Sequence, residues 1–167
     1  MDYYWNGRTD PAFNLALEEI MTAQADAPFV MLWRNRPAVI IGRNQNAYAE
    51  LDAAYTREHG IAVVRRMTGG GAVYHDLGNL NYSFFSFEAD SDGRYSDFAP
   101  SAEPVLDALR SLGVNAEFSG RNDILVGGRK VSGSAKRVHE GQHRALLQEL
   151  QQRQEIHHAR RRDPGRT

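Results

Sequence analysis

The sequence predicts a single α/β domain of the α+β type, with a mixed, largely antiparallel sheet and flanking helices. Short β-branched or aromatic runs recur along the chain, and glycines separate many of them. Longer stretches between these runs favour helices. Hydrophobic residues make up 41% and charged residues 25% of the 167 residues, a balance typical of globular proteins.

Helix and strand patterns alternate in the first half of the chain. Asp10 and Pro11 suit the N-cap and the first position of a helix that continues to Ala25. A second helix is expected over residues 49–59, because Gly60 is a typical helix stop. Strands are expected over residues 29–33, 38–42, 61–66 and 72–75.

The second half begins with an aromatic strand over residues 80–87, followed by a polar loop over 88–99. A third helix is expected over 101–113, with Gly113 at its end. Further strands are expected over 114–118, 123–126 and 130–135, and an amphipathic helix over 142–159.

The composition of the chain changes near residue 140. Residues 141–167 hold six arginines and three acidic residues, whereas residues 1–140 hold fourteen basic and eighteen acidic residues. The change predicts a boundary between a domain over residues 1–140 and a basic tail over 141–167, for which the pattern favours a helix.

Charge and cysteine content exclude several classes of function. Twenty basic residues face twenty-one acidic ones, so the chain lacks the basic excess typical of nucleic-acid-binding proteins. The absence of cysteine excludes disulfides, thiolate metal sites and cysteine nucleophiles. No apolar run approaches the ~20 residues of a membrane span, and the N-terminus lacks a signal-peptide pattern. We therefore expect a cytoplasmic protein without nucleic-acid or membrane partners.

Three consecutive glycines between two predicted strands form the first candidate site. Gly69, Gly70 and Gly71 would let the backbone approach a ligand closely. Arg65 and Arg66 add positive charge beside them, which suits a phosphate or carboxylate. The alternative is a glycine-rich hairpin with two solvated arginines. The run is neither a P-loop nor a dinucleotide fingerprint, because the residues that follow it differ from both.

Lysine is confined to one segment of the chain. Eighteen of the twenty basic residues are arginines, and the two lysines are Lys130 and Lys136. An ammonium is a compact charge unlike guanidinium, which indicates a specific task here, although chance is the alternative. Asn122 and Asp123 stand just before this segment. Asp123 is a candidate Mg²⁺ ligand beside substrate phosphates, whereas a self-capped turn is the alternative for the pair.

A third pattern, His139, Glu140 and His143, matches the H-E-x-x-H spacing of zinc proteases. Gly141 disfavours the helix that this motif needs, and flanking arginines would repel a metal cation. We therefore interpret the match as chance and keep a zinc hydrolase only as a remote alternative.

The segment from Arg65 to Asn81, RRMTGGGAVYHDLGNLN, resembles the signature of lipoate–protein ligases. Three further stretches agree in the same order, and they are FNLALEE, LWRNRPAVIIGRNQN and GRNDILVGGRKVSGSAKR. Four ordered motifs over residues 13–137 are far more specific than one motif alone.

This resemblance implies the α/β fold that lipoate ligases share with biotin ligases, and a reaction in two steps. Lipoate and Mg·ATP give lipoyl-adenylate and pyrophosphate. The lipoyl group then passes to a lysine of an acceptor, such as the lipoyl domain of a 2-oxoacid dehydrogenase E2 subunit or the glycine-cleavage H protein. The implied cofactors are therefore ATP and Mg²⁺, lipoate is the substrate, and a separate accessory domain is a further candidate partner.

The resemblance also implies roles for individual residues. Lys130 matches the catalytic lysine, which contacts the lipoyl carbonyl and the α-phosphate. Arg66 matches a nucleotide-contacting arginine. Asn122 and Asp123 match a pair near the phosphates. The backbone stretch that lies against the adenylate in this family corresponds to Gly71, Ala72, Val73 and Tyr74. Further candidate pocket residues are Thr68, Gly69, Gly70 and His75, of which His75 is as readily explained by a structural role; no metal ligands are assigned.

The resemblance fades after Arg137. The residues from His143 to Leu147 are only loosely similar to the family's continuation, and the later residues are not similar to it. The resemblance therefore implies a catalytic domain over residues 1–140 that is incomplete at its C-terminal side, without the accessory C-terminal domain of many members. The tail over 141–167 is expected to be divergent, truncated or read in a shifted frame. A non-catalytic module that binds lipoyl-adenylate or a lipoyl domain is the alternative to an active ligase.

Overall fold

The computed structural model describes residues 2–86, 98–120, 122–138 and 144–150. The helices in these ranges are α1 (Pro11–Gln24), α2 (Ala47–Glu50), α3 (Ala53–Glu58) and α4 (Ala99–Ser111). The strands are β1 (Asp2–Asn6), β2 (Phe29–Trp33), β3 (Ala38–Ile41), β4 (Ala62–Arg65), β5 (Val73–His75), β6 (Leu80–Ser86), β7 (Ala116–Ser119), β8 (Asp123–Val126), β9 (Arg129–Val138) and β10 (Arg144–Leu150).

These strands form two sheets. The large sheet has seven strands in the order β1-β2-β6-β10-β9-β8-β7, and within it β1 and β2 run parallel while the other neighbours are antiparallel. The small sheet has β3 at its centre, parallel to β4 and antiparallel to β5. The predicted mixed, largely antiparallel architecture with flanking helices is confirmed, with its strands divided between two sheets.

Helix α1 packs against both sheets. Its Leu17 contacts the buried cluster on one face of the large sheet, and its Leu15 belongs to a cluster with the small sheet. Helix α4 covers the opposite face of the large sheet, where Leu106 shares a cluster with Tyr82. We call these two faces of the large sheet the α1 face and the α4 face. Leu51, between α2 and α3, covers the other side of the small sheet.

The start of α1 follows the sequence prediction. Asp10 is the N-cap, and its Oδ1 accepts a hydrogen bond from the backbone N–H of Phe13 at 2.9 Å. Pro11 occupies the first turn, where backbone N–H groups have no partner within the helix, so the N–H that proline lacks is not needed there. The cap and the proline together fix where α1 begins.

The single helix expected over residues 49–59 is wrong, because the chain forms α2 and α3 instead. Leu51 is only 5% exposed, and its backbone is extended where a continuous helix would need helical angles. The burial of its side chain therefore goes with a break between the two helices. Asp52 then starts α3 by accepting hydrogen bonds from the N–H groups of Ala54 and Tyr55. Strand β1, at residues 2–6, was not predicted at all.

The helix expected over residues 142–159 is also wrong for the part that the structure describes. Arg144–Leu150 forms β10, which pairs antiparallel with β6 on one side and β9 on the other. A segment held between two strands gains hydrogen bonds along both edges, and this outweighs its local helix preference. Residues 151–167 and most of the predicted loop at 88–99 lie outside the described residues. None of the helices in the described residues is long and apolar enough to cross a bilayer.

Candidate functional site

The glycine run lies between two strands that do not pair with each other. Strands β4 and β5 flank β3 on opposite sides, so residues 66–72 cross the end of β3. We call residues 66–72 the glycine loop. The alternative interpretation as a glycine-rich hairpin is therefore wrong.

Arg66 lies beneath this loop and is only 6% exposed. Its Nη2 donates hydrogen bonds to the carbonyls of Gly69 and Gly71 at 2.9 and 2.8 Å, and its Nη1 donates to Ile40 at 3.3 Å. Arg65 donates in the same way to the carbonyls of residues 42, 43 and 45. The two arginines thus fix the backbone around the loop, although only Arg66 is buried and Arg65 is exposed.

The loop approaches β3 so closely that Gly42 has no room for a side chain. A Cβ on Gly42 would lie 2.0 Å from the carbonyl oxygen of Gly70. The backbone N–H of Arg43 donates to the carbonyl of Thr68 at 2.9 Å, which holds the two segments together. Gly70 itself has φ of 101°, a conformation that favours glycine. Gly42 was missed in the sequence, where a single glycine after a strand gives no sign of this approach.

The residues after the glycines divide between the two sides of the small sheet. Ala72 and Tyr74 pack with the cluster near α2 and α3, whereas Val73 packs on the α1 side. Burial raises the pKa of the Tyr74 phenol, and the nearby carboxylate of Asp76 raises that pKa further. The phenol of Tyr74 therefore stays protonated beyond its ordinary range.

His75 is 1% exposed and ends a chain of buried amides. Asn6 donates to Asn14 Oδ1 at 2.8 Å, Asn14 Nδ2 lies 2.8 Å from Asn35 Oδ1, and Asn35 Nδ2 lies 2.9 Å from His75 Nδ1. We call these four residues the amide relay. It links β1, α1, the β2–β3 connection and β5, which places His75 in a structural hydrogen-bond network. Asn14 and Asn35 were missed, although a polar residue between Phe13 and Leu15 on a helix face was a signal.

Lys130 lies on the α1 face because β9 contains a bulge. Ile124 of β8 pairs with Ser132, but the next residue, Leu125, pairs with Lys130, so Val131 is the extra residue. The bulge turns Lys130 onto the side of the sheet that carries Asp123. Its Nζ forms an ion pair with Asp123 Oδ1 at 2.7 Å, and its side chain is 56% exposed.

Two neighbours hold this pair in place. A Cβ on Gly133 would lie 3.2 Å from both Cε and Nζ of Lys130, so glycine leaves the space that the lysine side chain occupies. Asn122 Nδ2 donates to the carbonyl of Ser134 at 2.7 Å, and the Ser134 N–H donates back to the carbonyl of Asn122 at 3.0 Å. Asn122 therefore fixes the chain just before Asp123, and it is not merely a self-capped turn.

A cavity of about 190 Å³ lies between α1 and the end of β4. Its lining includes Glu18, which accepts a hydrogen bond from the Ser83 hydroxyl on the α1 face of the large sheet. Other lining residues are Leu15, Glu19, Val64, Arg65 and Met67. The cavity thus lies between α1 and the segment that leads from β4 into the glycine loop.

The predicted residues form two groups. The glycine loop gathers Arg66 with Thr68, Gly69, Gly70 and Gly71 at the small sheet, while Asn122, Asp123 and Lys130 meet on the large sheet. His139, Glu140 and His143 of the zinc-type motif lie outside the described residues. Within the ranges that the structure describes, no three His, Asp or Glu side chains are grouped to hold a metal.

Comparison with known proteins identifies the family. The model of the lipoyl protein ligase A/B catalytic domain matches residues 10–154. The chain belongs to this family, which confirms the resemblance seen in its motifs. The match runs past residue 140 and includes β10.

A curated relative, lipoate–protein ligase LplJ of Bacillus subtilis, is 50% identical over 129 residues, covering 76% of this chain and 38% of the relative. The chain thus spans about two fifths of the length of this relative. A bipartite lipoate–protein ligase solved with its E2 lipoyl domain from Thermoplasma acidophilum superposes with a TM-score of 0.81 at 31% identity, covering 89% and 60% of the two chains. A lipoate–protein ligase A solved with ATP gives a TM-score of 0.80 at 31% identity, with 89% and 65% covered.

Proposed function

We propose that this chain is the adenylate-forming catalytic part of an ATP-dependent lipoate–protein ligase. In the first step a lipoate carboxylate oxygen attacks the α-phosphorus of ATP, and pyrophosphate leaves. In the second step the lysine amine of an acceptor lipoyl domain attacks the acyl carbonyl, AMP leaves, and the amine loses a proton. The chain supplies no nucleophile in either step.

The observation that carries this proposal is the placement of Lys130 in a chain of this family. Its side chain lies on the α1 face and is more than half exposed, and its ammonium has Asp123 as an ion-pair partner at 2.7 Å. Negative charge grows on the α-phosphate during attack and on the acyl oxygen during transfer. A fixed ammonium that contacts both oxygens would stabilise both transition states.

The glycine loop is the proposed contact surface for the adenylate. Arg66 holds the carbonyls of Gly69 and Gly71 towards the protein interior, and this supports a role in shaping the loop in addition to the nucleotide contact that the family implies. Because the loop is already fixed, its backbone does not have to rearrange when it binds the phosphate. The proposed adenylate-binding set is Arg66, Gly71, Ala72, Val73, Tyr74 and Lys130.

Asp123 fits a role near the magnesium ion of Mg·ATP. Mg²⁺ is usually held by one or two carboxylates together with substrate phosphates, and the Asp123 side chain is 32% exposed. The Asp123 carboxylate would then contact the metal instead of the Lys130 ammonium. The ammonium could then contact the acyl phosphate. When bound, Mg²⁺ would offset the charge of the phosphates.

The second step requires a partner. The Thermoplasma acidophilum ligase is bipartite and was solved with an E2 lipoyl domain, which supports lipoyl domains as acceptors. The present chain covers 60% of that ligase chain, so we propose that a further segment or a separate accessory chain assists transfer. The reaction would take place in the cytoplasm.

Mass spectrometry on the purified chain with Mg·ATP, lipoate and an apo lipoyl domain tests this proposal. A lipoyl-adenylate peak and a lipoyl mass shift on the acceptor would support both steps. Adenylate without transfer would support the first step and the need for an accessory chain. A folded chain that yields neither product but binds the lipoyl domain would instead favour a binding module.

A further inference from the structure

Strand β1 forms one edge of the large sheet, and among the described residues no strand pairs with its outer side. Three consecutive aromatic side chains of this strand, Tyr3, Tyr4 and Trp5, are 76%, 47% and 46% exposed. The edge strands of natural sheets are usually protected by charges, proline or a bulge, because their unpaired N–H and C=O groups can pair with a further strand. An aromatic edge of this kind is therefore suited to pairing with another chain.

The opposite edge of the large sheet is different. Its strand, β7, exposes Glu117, whereas the ring of Phe118 packs against the cluster under α4. None of the described residues of β7 is a large apolar residue with an exposed side chain. Of the two edges of this sheet, β1 is therefore the one that offers an apolar surface.

The aromatic side chains of β1 lie on both faces of the sheet. Asn6 donates a hydrogen bond to Asn14 of α1, so Asn6 is on the α1 face. Successive side chains of a strand alternate between faces, which puts Tyr4 on the α1 face and both Tyr3 and Trp5 on the α4 face. A strand added beside β1 would therefore have aromatic neighbours above and below it.

The two ends of this segment carry opposite charges on the same face. Asp2 is on the α1 face by the same alternation, and the Arg8 guanidinium lies over the ring of Phe13 of α1, 4.3 Å from the ring centroid. Both Asp2 and Arg8 are exposed. If β1 paired antiparallel with β1 of a second copy about a twofold axis at Trp5, Asp2 of each copy would lie opposite Arg8 of the other. A parallel pairing in the same register would instead place each charge beside its own kind.

We propose that β1 is a dimer interface, at which the β1 strands of two copies of this chain pair antiparallel around Trp5 and join two large sheets into one. A twofold axis makes one self-complementary strand serve both copies, and the two Trp5 rings become cross-strand neighbours on the α4 face. The inference is independent of the proposed function. Lys130 lies on β9, four strand spacings or about 19 Å from β1.

Sedimentation velocity over a range of concentrations, on the wild type and on two charge variants, tests the interface and its register. Asp2→Arg and Arg8→Asp each bring like charges together at both ends of the paired strands, and each alone should weaken the dimer about tenfold or more. An equimolar mixture of the two variants should restore dimerisation, because a mixed dimer again has opposite charges at both ends. Glu117→Arg makes the matched change on the other edge strand and should leave the dissociation constant unchanged.

Hydrogen exchange provides a second measurement on the wild type. The backbone amides of residues 2–6 should become more protected as the protein concentration rises, in step with the dimer fraction. Thermal unfolding checks that each variant is folded. If a charge variant does not fold, Tyr3→Lys changes the most exposed aromatic residue of β1 and should also weaken the dimer about tenfold or more.

A wild type that is monomeric at every concentration would overturn the proposal, whatever else covers β1. A monomer whose binding to an apo lipoyl domain is lost in Tyr3→Lys would assign this edge to the acceptor instead. A dimer that the folded variants leave unchanged would place the interface elsewhere, and a mixture as weak as the single variants would refute the register around Trp5.

Discussion

The ammonium of Lys130 lies 2.7 Å from Oδ1 of Asp123 because β9 has one more residue than β8 at this point. Without Val131 as the extra residue, Lys130 would lie on the α4 face. The other lysine shows the contrast, since Lys136 pairs through β10 with Phe84 on the α4 face. The two lysines of the chain therefore lie on opposite sides of one strand.

Lys130→Ala is expected to lower adenylation and transfer by about 10²–10³-fold, because it removes the cation that faces the growing negative charge. Lys136→Ala is the matched control, and it should retain wild-type rates. Adenylate yield by mass spectrometry, with acceptor binding measured in parallel, checks both variants. Equal activity of Lys130→Ala and the wild type would remove Lys130 from the reaction, whereas lost acceptor binding would assign it to docking.

Gly133→Ala is expected to reduce kcat about tenfold with little change in the unfolding temperature. The new Cβ would lie 3.2 Å from Cε and Nζ of Lys130, and the flexible end of the lysine would move aside by a few tenths of an ångström. Gly7→Ala is the control, since a Cβ there meets no atom within 4 Å. Steady-state adenylation kinetics and thermal unfolding separate the two effects. A drop in unfolding temperature that matches the loss of activity would show a folding defect instead.

The elements with strong local signals were predicted well from the sequence. The start of α1 followed from Asp10 and Pro11, whose capping chemistry acts within one turn. The glycine run was also located, because three glycines between strands require a special backbone. The scarcity of lysine pointed to the segment that holds Lys130 and Lys136, and the family resemblance then selected Lys130.

Features that depend on long-range pairing were not predicted. Residues 144–150 favour a helix locally, but two neighbouring strands impose β10 on them. Gly42 has no room for a side chain only because the carbonyl of Gly70, which is distant in sequence, lies against it. Nothing near Arg66 in sequence showed that it binds the carbonyls of its own loop, because the charge pattern suggested a phosphate or carboxylate contact, with a solvated residue as the alternative.

The capping carboxylate of Asp10 is expected to give stability that depends on pH. The Phe13 N–H and the Arg36 guanidinium, which lies 2.7 Å from Oδ2, hold the pKa of this carboxyl below its ordinary value of 3.8. The ionised group therefore stabilises the fold above pH 3.8, and this contribution is lost as pH falls through the lowered folded-state pKa. The difference in stability between the wild type and Asp10→Ala, measured by urea unfolding, should be largest at neutral pH and should shrink in acid.

Asp10→Asn separates the two interactions in this test. Asparagine can still accept from the Phe13 N–H, but it carries no charge for Arg36. Its stability should fall between those of the wild type and Asp10→Ala, and the difference from Asp10→Ala should not depend on pH. A constant difference between the wild type and Asp10→Ala down to strong acid would contradict the assigned role of the charge.

The amide relay is expected to be a major source of stability. Asn14→Ala would leave buried polar groups of Asn6 and Asn35 without their partner, at a cost of about 2–4 kcal/mol in the free energy of unfolding. Gln24→Ala on the exposed side of the same helix is the control and should change stability by less than about 0.5 kcal/mol. Chemical denaturation measures both variants. Equal effects would mean that the relay contributes no more than the helix surface.

The relay also fixes the tautomer of His75. Asn14 Nδ2 faces the carbonyls of Arg8 and Arg34 at 3.0 and 3.2 Å, and carbonyls only accept, so the direction of this amide is set. Asn35 must then accept through Oδ1 and donate through Nδ2, which makes His75 Nδ1 an acceptor. The neutral ring therefore carries its proton on Nε2. Imidazole ¹⁵N chemical shifts, assigned with His75→Gln, should show this tautomer at neutral pH, and Asn35→Leu should release the preference. A proton on Nδ1 in the wild type would reverse the direction of the whole relay.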